Sequence, residues 1–287
     1  MAKRQRTQTR AVMENRERQG RGRGDGREYR PWLYVQDVPS KGRSSRIASG
    51  GRVVHTLSDW ETAAYRDFQW DPNVVDVKEQ FPLELRETER IAAEMLVEHP
   101  ADGNPRENVR MTTDFLVTYR VAGRLEKVAY TVKERASFDV RLAMTRDEVR
   151  SARRVREKFE IERRYWVARG VRWEKLTDED LSKVRKVNIE WIMGVEPAHD
   201  RPPGHWRAAM AAVHAAVAAG RPGSMDDLAR SLDADGVLPR RDFPTAVRLL
   251  CVRRAMTFDM DRQFTLSRPV SDFAVAASVA DCGTARC

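Results

Sequence analysis

The sequence predicts two domains, a mixed α/β sandwich over residues 31–177 and an α-rich winged helix-turn-helix over residues 178–269. Three observations predict this. Residues 111–119 and 127–133 are apolar-rich runs joined across Ala122-Gly123, the pattern of a β-hairpin. Amphipathic helical patterns lie on either side of that hairpin in the chain, over residues 59–70 and 145–169. Beyond residue 178 the order changes to helix, helix, turn and helix followed by two short β-prone runs, which is the order of a winged helix. At 287 residues the chain is also longer than one small domain needs.

Taken in order, residues 1–30 carry ten Lys or Arg against four Asp or Glu and include Gly20-Arg21-Gly22-Arg23-Gly24, so a flexible basic arm is expected there. Pro31-Trp32-Leu33-Tyr34-Val35 has strand character. Ser58 stands where an N-cap belongs, Glu61 falls in the first turn, and Trp60, Ala64 and Phe68 recur at helical spacing until Asp71-Pro72 stops the helix. Residues 74–77 and 81–85 read as strand material, and residues 87–110 as a polar loop with a short strand near 91–97. Gly170 ends the long second helix, and residues 171–176 are extended, completing a mixed sheet.

In the second domain, residues 178–193 are helical and residues 197–204 form a linker. Helices follow over 206–219, over 224–232 with Ser224 as cap, and over 242–253 after a turn near Gly236. Met256-Thr257-Phe258 and Phe264-Thr265-Leu266 then form a small hairpin, and the small-residue tail 270–287 is expected to be disordered.

A formal charge of +9 and a pI near 9.7 favour a polyanionic partner, most simply DNA. The three cysteines, Cys251, Cys282 and Cys287, match neither a disulfide framework nor a zinc pattern, which points to a reducing compartment. There is no apolar run long enough to span a bilayer and no secretory signal. A cytoplasmic, nucleoid-associated protein without a membrane partner is the expectation.

Asp114 opens one strand of the central hairpin, Lys133 closes the other, and Glu61 arrives from a helix. Phosphodiester hydrolysis needs metal ions to neutralise the scissile phosphate and a positioned water, and Mg2+ takes a few oxygen ligands while keeping several waters. Two carboxylates with a lysine beside them suit that chemistry. Each residue alone has a plainer explanation: a turn residue, a solvated strand end, or a carboxylate on a helix dipole. Their conjunction is what points to a magnesium-dependent DNA nuclease.

The segments Glu28-Tyr29-Arg30-Pro31-Trp32-Leu33, Leu57-Ser58-Asp59, Glu79-Gln80-Phe81-Pro82-Leu83, Thr113-Asp114-Phe115-Leu116-Val117, Glu162-Arg163-Arg164-Tyr165-Trp166 and Asn188-Ile189-Glu190-Trp191 occur in the order found in the TnsA endonuclease subunits of heteromeric bacterial transposases, which the chain resembles from about residue 20 to 195. The resemblance implies a restriction-endonuclease-like core whose catalytic residues are Glu61, Asp114 and Lys133, with Glu162 as an auxiliary acid. It implies Mg2+, with Mn2+ as a substitute, held by Glu61, Asp114 and the backbone carbonyl of Val132. Thr131 stands where the family usually has Glu or Gln, and offers a hydroxyl in its place. The resemblance further implies cleavage at the 5′ ends of a transposon, an RNase H-like partner that cuts the 3′ ends, and an AAA+ ATPase regulator. A stand-alone restriction or repair nuclease, or a non-enzymatic scaffold, are the alternative readings. In the second domain Arg240, Arg241, Arg248 and Arg253 are the candidate DNA contacts, on or beside the helix expected to act as recognition helix.

Overall fold

The structure, a computed structural model, describes residues 8–38, 43–102 and 106–276. The chain divides into two compact units between Ser182 and Lys183. The first is a mixed α/β unit built on a four-stranded sheet of order β3 (Val74–Pro82), β6 (Thr112–Val121), β7 (Arg124–Val132), β8 (Arg172–Leu176). β3, β6 and β7 are antiparallel, and β8 joins β7 in parallel after a crossover through the helix α4 (Arg146–Val167). A central mixed sheet flanked by helices is consistent with a restriction-endonuclease-like fold.

Alternation along the central hairpin builds two cores. Phe115, Val117, Val128, Tyr130 and Val132 pack with Ala63, Ala64, Tyr65 and Phe68 of the helix α2 (Asp59–Trp70). Their sequence neighbours Leu116 and Ala129 pack instead with Ile161, Tyr165 and Trp166 of α4 and with Ile91 and Ala92 of the helix α3 (Leu85–Glu94). The hairpin turns on Ala122 and Gly123 at φ 47° and 79°, the paired left-handed geometry of a type I′ turn. A second hairpin, β1 (Ser45–Ser49) and β2 (Arg52–Thr56), turns the same way on Gly50 and Gly51. Sequence reading missed it, although a Gly-Gly pair between β-prone runs is its signal. Arg52 of β2 ties it to β3 through an ion pair of 2.7 Å with the buried Glu79.

Three expectations in this unit are corrected. Residues 1–30 are not simply a flexible arm: residues 1–7 lie outside the described residues, but Arg10–Arg18 form the helix α1, which buries Met13 and Arg16. Arg16 holds Gln8, and Arg21 pairs with Asp37, so charge that looked solvated is spent on internal contacts. Residues 31–35 form no strand, because the Trp32 N–H donates to the Gln80 carbonyl and the ring is fully buried. Residues 87–110 include no strand near 91–97. That stretch is the end of α3, whose apolar side is thin and whose buried Thr88 is satisfied by His99 Nε2 at 2.9 Å. A minimal pairing of β4 (Ala101–Asp102) with β5 (Glu107–Asn108) follows it.

The second unit holds helices α5 (Lys183–Met193), α6 (His205–Ala218), α7 (Met225–Ala234) and α8 (Phe243–Val252) with a two-stranded sheet. Ser224 and Asp227 cap α7 reciprocally. The expected hairpin partner is corrected: β9 (Met256–Phe258) pairs with β10 (Phe273–Val275), not with residues 264–266. Asn188 explains the difference, since its amide donates to the carbonyls of Met260 and Arg262 and its oxygen accepts from the Phe264 N–H, while Phe264 stacks on Trp191 at 4.2 Å. The expectation of disorder from residue 270 is corrected for residues 270–276, where Val270 and Phe273 are buried; residues 277–287 lie outside the described residues. Among the described residues no helix is long and apolar enough to cross a membrane.

Trp32→Ala should cost about 3–5 kcal/mol of stability in urea denaturation, as for a fully buried aromatic. A loss under about 1 kcal/mol would show that the N-terminal segment is not packed.

Candidate active site

Glu61 owes its position to the first turn of α2. Ser58 Oγ accepts the Glu61 N–H, the same hydroxyl donates to Glu61 Oε1 at 3.0 Å, and the Leu57 N–H donates to Oε2 at 2.8 Å. A capping signature has thus turned a helix carboxylate back toward the interior. Asp114, near the start of β6, accepts the Val132 N–H on Oδ2 at 2.8 Å.

Between the two carboxylates lies a residue to which sequence reading gave no role in the site. Gln80 Nε2 donates to Glu61 Oε2 at 3.2 Å and to Asp114 Oδ1 at 3.4 Å. Its signal was its place in the segment Glu79-Gln80-Phe81-Pro82-Leu83 that carries the family resemblance.

On the α4 side, Thr131 Oγ1 donates to Glu162 Oε1 at 2.6 Å and accepts from Trp173 Nε1 at 3.3 Å. Glu61, Asp114, Thr131, Lys133 and Glu162, all expected in the site, line one cleft of about 310 Å³. Lys158, one helical turn before Glu162, lines it too and was not foreseen. The N-terminal segment reaches the same cleft through Gln8 and Leu33.

The cleft sets Glu61, Asp114 and Glu162 beside Arg110, Lys133 and Lys158, and burial dominates the carboxyl groups. Burial, then the charge of Asp114, pushes Glu61 up to about 8 against the Leu57, Ser58 and Lys133 contributions. Burial raises Asp114 as well, against the Val132 N–H, Lys133 and Gln80. Glu162 is pushed up to about 7, again by burial first, with Asp114 adding to it. Lys158 moves the other way, lowered by partial desolvation and by Arg154 and Lys133. Such opposed shifts concentrate at functional clefts. Among the described residues, no three His, Cys, Asp or Glu side chains converge as a ready ion cage. An ion here would need backbone or solvent oxygens beside the carboxylates, as Mg2+ commonly does.

The four arginines proposed for DNA contact are distributed differently. Arg240 is paired with Asp226 at 2.6 Å, and Arg248 lies over the Trp191 ring at 5.5 Å, which removes much of its charge from the surface. Arg241 and Arg253 are exposed. His205 Nε2 lies 3.0 Å from the buried Asp242, beside Arg201.

A carboxyl whose native pKa lies above its unfolded value holds extra protons in the folded state, so stability falls as pH rises between the two values. For Glu61 that window runs from 4.5 to about 8, and for Glu162 from 4.5 to about 7. Metal-free protein should therefore lose thermal stability from pH 5 to 8, by at most ~1.4 kcal/mol per pH unit for each group titrating. Glu162→Gln should flatten the profile, and an unchanged slope in that variant would contradict the assignment. Thr131→Glu, which sets a further carboxylate against Glu162, should steepen the loss above pH 7, whereas Thr131→Gln should not.

Residues 71–178 match the family model for the TnsA-like endonuclease N-terminal domain. The chain is also 41% identical over 181 residues to the transposition protein TnsA of transposon Tn7 from Escherichia coli, an alignment covering 62% of this chain and 61% of that relative. The chain thus spans about three-fifths of the length of the curated relative it matches. Asp114, Thr131, Lys133 and Glu162 fall inside the family match, and Glu61 lies ahead of it. Residues 71–178 are thus similar to TnsA-like N-terminal endonuclease domains, and the chain resembles the Tn7 protein over about three-fifths of its length.

Proposed function

We propose that this chain is the endonuclease subunit of a heteromeric transposase, a metal-dependent phosphodiesterase that cuts DNA at the 5′ ends of a mobile element. The observation that carries this reading is the pairing of Glu61 and Asp114, drawn to one buried amide, in a cleft shared with Lys133. The RNase H-like partner that cuts the 3′ ends, the AAA+ ATPase regulator and a cytoplasmic setting rest on the likeness to the Tn7 protein. The second unit, read as a winged helix, keeps Arg240, Arg241 and Arg253 exposed, Arg240 in a surface ion pair with Asp226, and serves either DNA contact or docking of the regulator.

The donor set fits a hard divalent cation. Every candidate ligand is oxygen, and the raised pKa values of Glu61 and Asp114 mark a site in which added positive charge relieves repulsion. Glu61, Asp114 and the carbonyl of Val132 would hold Mg2+, with Mn2+ as a substitute. When bound, the ion would neutralise charge on the scissile phosphate and lower the pKa of a coordinated water.

The chain's own residues do the rest. Lys133 orients the attacking water by donating to its lone pair and favours its hydroxide form. Glu162, with Thr131 holding one of its oxygens, adds an acceptor at the α4 wall. Lys158, its pKa lowered by desolvation and by Arg154 and Lys133, lines the same cleft and is the proton donor to the departing oxygen.

The test is Asp114→Asn in a reaction with the partner transposase and Mg2+. Asparagine keeps an oxygen for the Val132 N–H and removes the charge. Cutting at the 5′ ends should fall by roughly 10²–10³-fold or more while 3′ cutting persists. Thermal stability at pH 8 without metal should be unchanged or higher, because a repulsion is removed. Wild-type 5′ cutting by this variant would sink the proposal.

A further inference from the structure

Gln80 is the residue of the first unit whose conformation the sheet alone does not explain. It sits inside β3 with φ at +47°, a left-handed backbone that a glutamine adopts at a cost. The pairing of β3 with β6 passes from Glu79↔Phe115 to Phe81↔Thr113, with no Gln80–Asp114 rung between them. The distortion is held from the other side by the N-terminal segment. The Tyr29 hydroxyl donates to the Glu79 carbonyl at 3.0 Å, and the Trp32 N–H donates to the Gln80 carbonyl at 3.1 Å.

The left-handed turn carries the side chain into the site. It is almost wholly buried, with one Nε2 bond to each carboxylate and its Oε1 accepting from the Thr112 hydroxyl at 3.2 Å. An amide turned the other way would set its oxygen against the acceptor oxygens of Glu61 and Asp114, and the hydroxyl of Thr112 would lose its acceptor, so these three neighbours select this orientation. Every polar group of the side chain is thereby used.

We propose that Gln80 is a positioning residue of the site: its amide links Glu61 to Asp114 and holds them preorganised for a divalent cation, with Thr112 fixing the amide and Tyr29 and Trp32 fixing the strained backbone. It does not itself line the cleft, so it acts through the carboxylates. The inference rests on the reading of Glu61 and Asp114 as metal ligands, and both readouts below are independent of DNA cleavage.

Asparagine tolerates left-handed backbone better than glutamine but is too short to reach both carboxylates. Gln80→Asn should therefore keep or raise the thermal midpoint while weakening Mn2+ binding, followed by electron paramagnetic resonance, about tenfold or more. Thr112→Val should weaken it in the same direction by a smaller factor. A purely structural role predicts wild-type Mn2+ affinity in Gln80→Asn, and that result would overturn the proposal. Independently of any metal, the Gln80 side-chain amide signals in a nitrogen–proton NMR spectrum should be protected from exchange and should shift in Asp114→Ala. Rapidly exchanging signals that ignore that substitution would overturn it as well. Should wild-type protein take up no Mn2+, the metal reading of the site fails, and the amide signals still decide whether Gln80 links the pair.

Discussion

Two carboxylates of the same sign, both raised by burial and with the charge of Asp114 raising Glu61 further, are costly to a fold unless something holds them and something compensates their charge. Much of the first unit can be understood from that constraint. Ser58 and Leu57 spend a helix N-terminus on Glu61, Val132 spends a strand N–H on Asp114, and Gln80 spends a side-chain amide on both. These donors favour the ionised forms, yet burial still outweighs them, so the site retains a demand for positive charge. Lys133 supplies part of it, and a divalent cation would supply the remainder.

The sheet is arranged to meet that demand in one place. Alternation along β6 and β7 commits Phe115, Val117, Tyr130 and Val132 to the α2 core, and Leu116 and Ala129 to the core beneath α3 and α4. Polar residues are confined to the ends of these strands, where the hairpin register has run out beyond Phe115↔Tyr130. That is where Asp114, Thr131 and Lys133 are left to face helices bearing Glu61 and Glu162. Parallel pairing of β8 with β7 closes the same end, the Lys133 N–H donating to the Leu176 carbonyl at 2.9 Å.

The basic character of the N-terminal segment acquires a different meaning in this light. Arg16 and Arg21 converge on Asp37, and Arg110 stacks over Trp32. This region braces β3 at Glu79 and Gln80 and contributes Gln8 and Leu33 to the cleft wall. Positive charge along the chain is thus an unreliable guide to DNA contact, as Arg240 and Arg248 repeat in the second unit.

Local rules were enough for what local chemistry controls. The capped helix bearing Glu61, the Ala122-Gly123 hairpin, the long helix bearing Glu162 and the trio Glu61, Asp114 and Lys133 were all legible in the sequence, because caps, turns and periodicity act over a few residues and the family motifs fall on them. The Gly50-Gly51 hairpin was equally legible and was overlooked. What remained hidden depends on partners far along the chain. Trp32 is drawn out of a strand by a carbonyl at Gln80, Phe264 out of a hairpin by Asn188, and β10 onto β9 from a segment that looked like a tail. Gln80 is the sharpest case: it stood between two strand-like runs with no assigned role, and only tertiary structure turned its backbone left-handed and set its amide between Glu61 and Asp114. A lone glutamine carries no periodic or capping signal, and its role exists only where three distant segments meet.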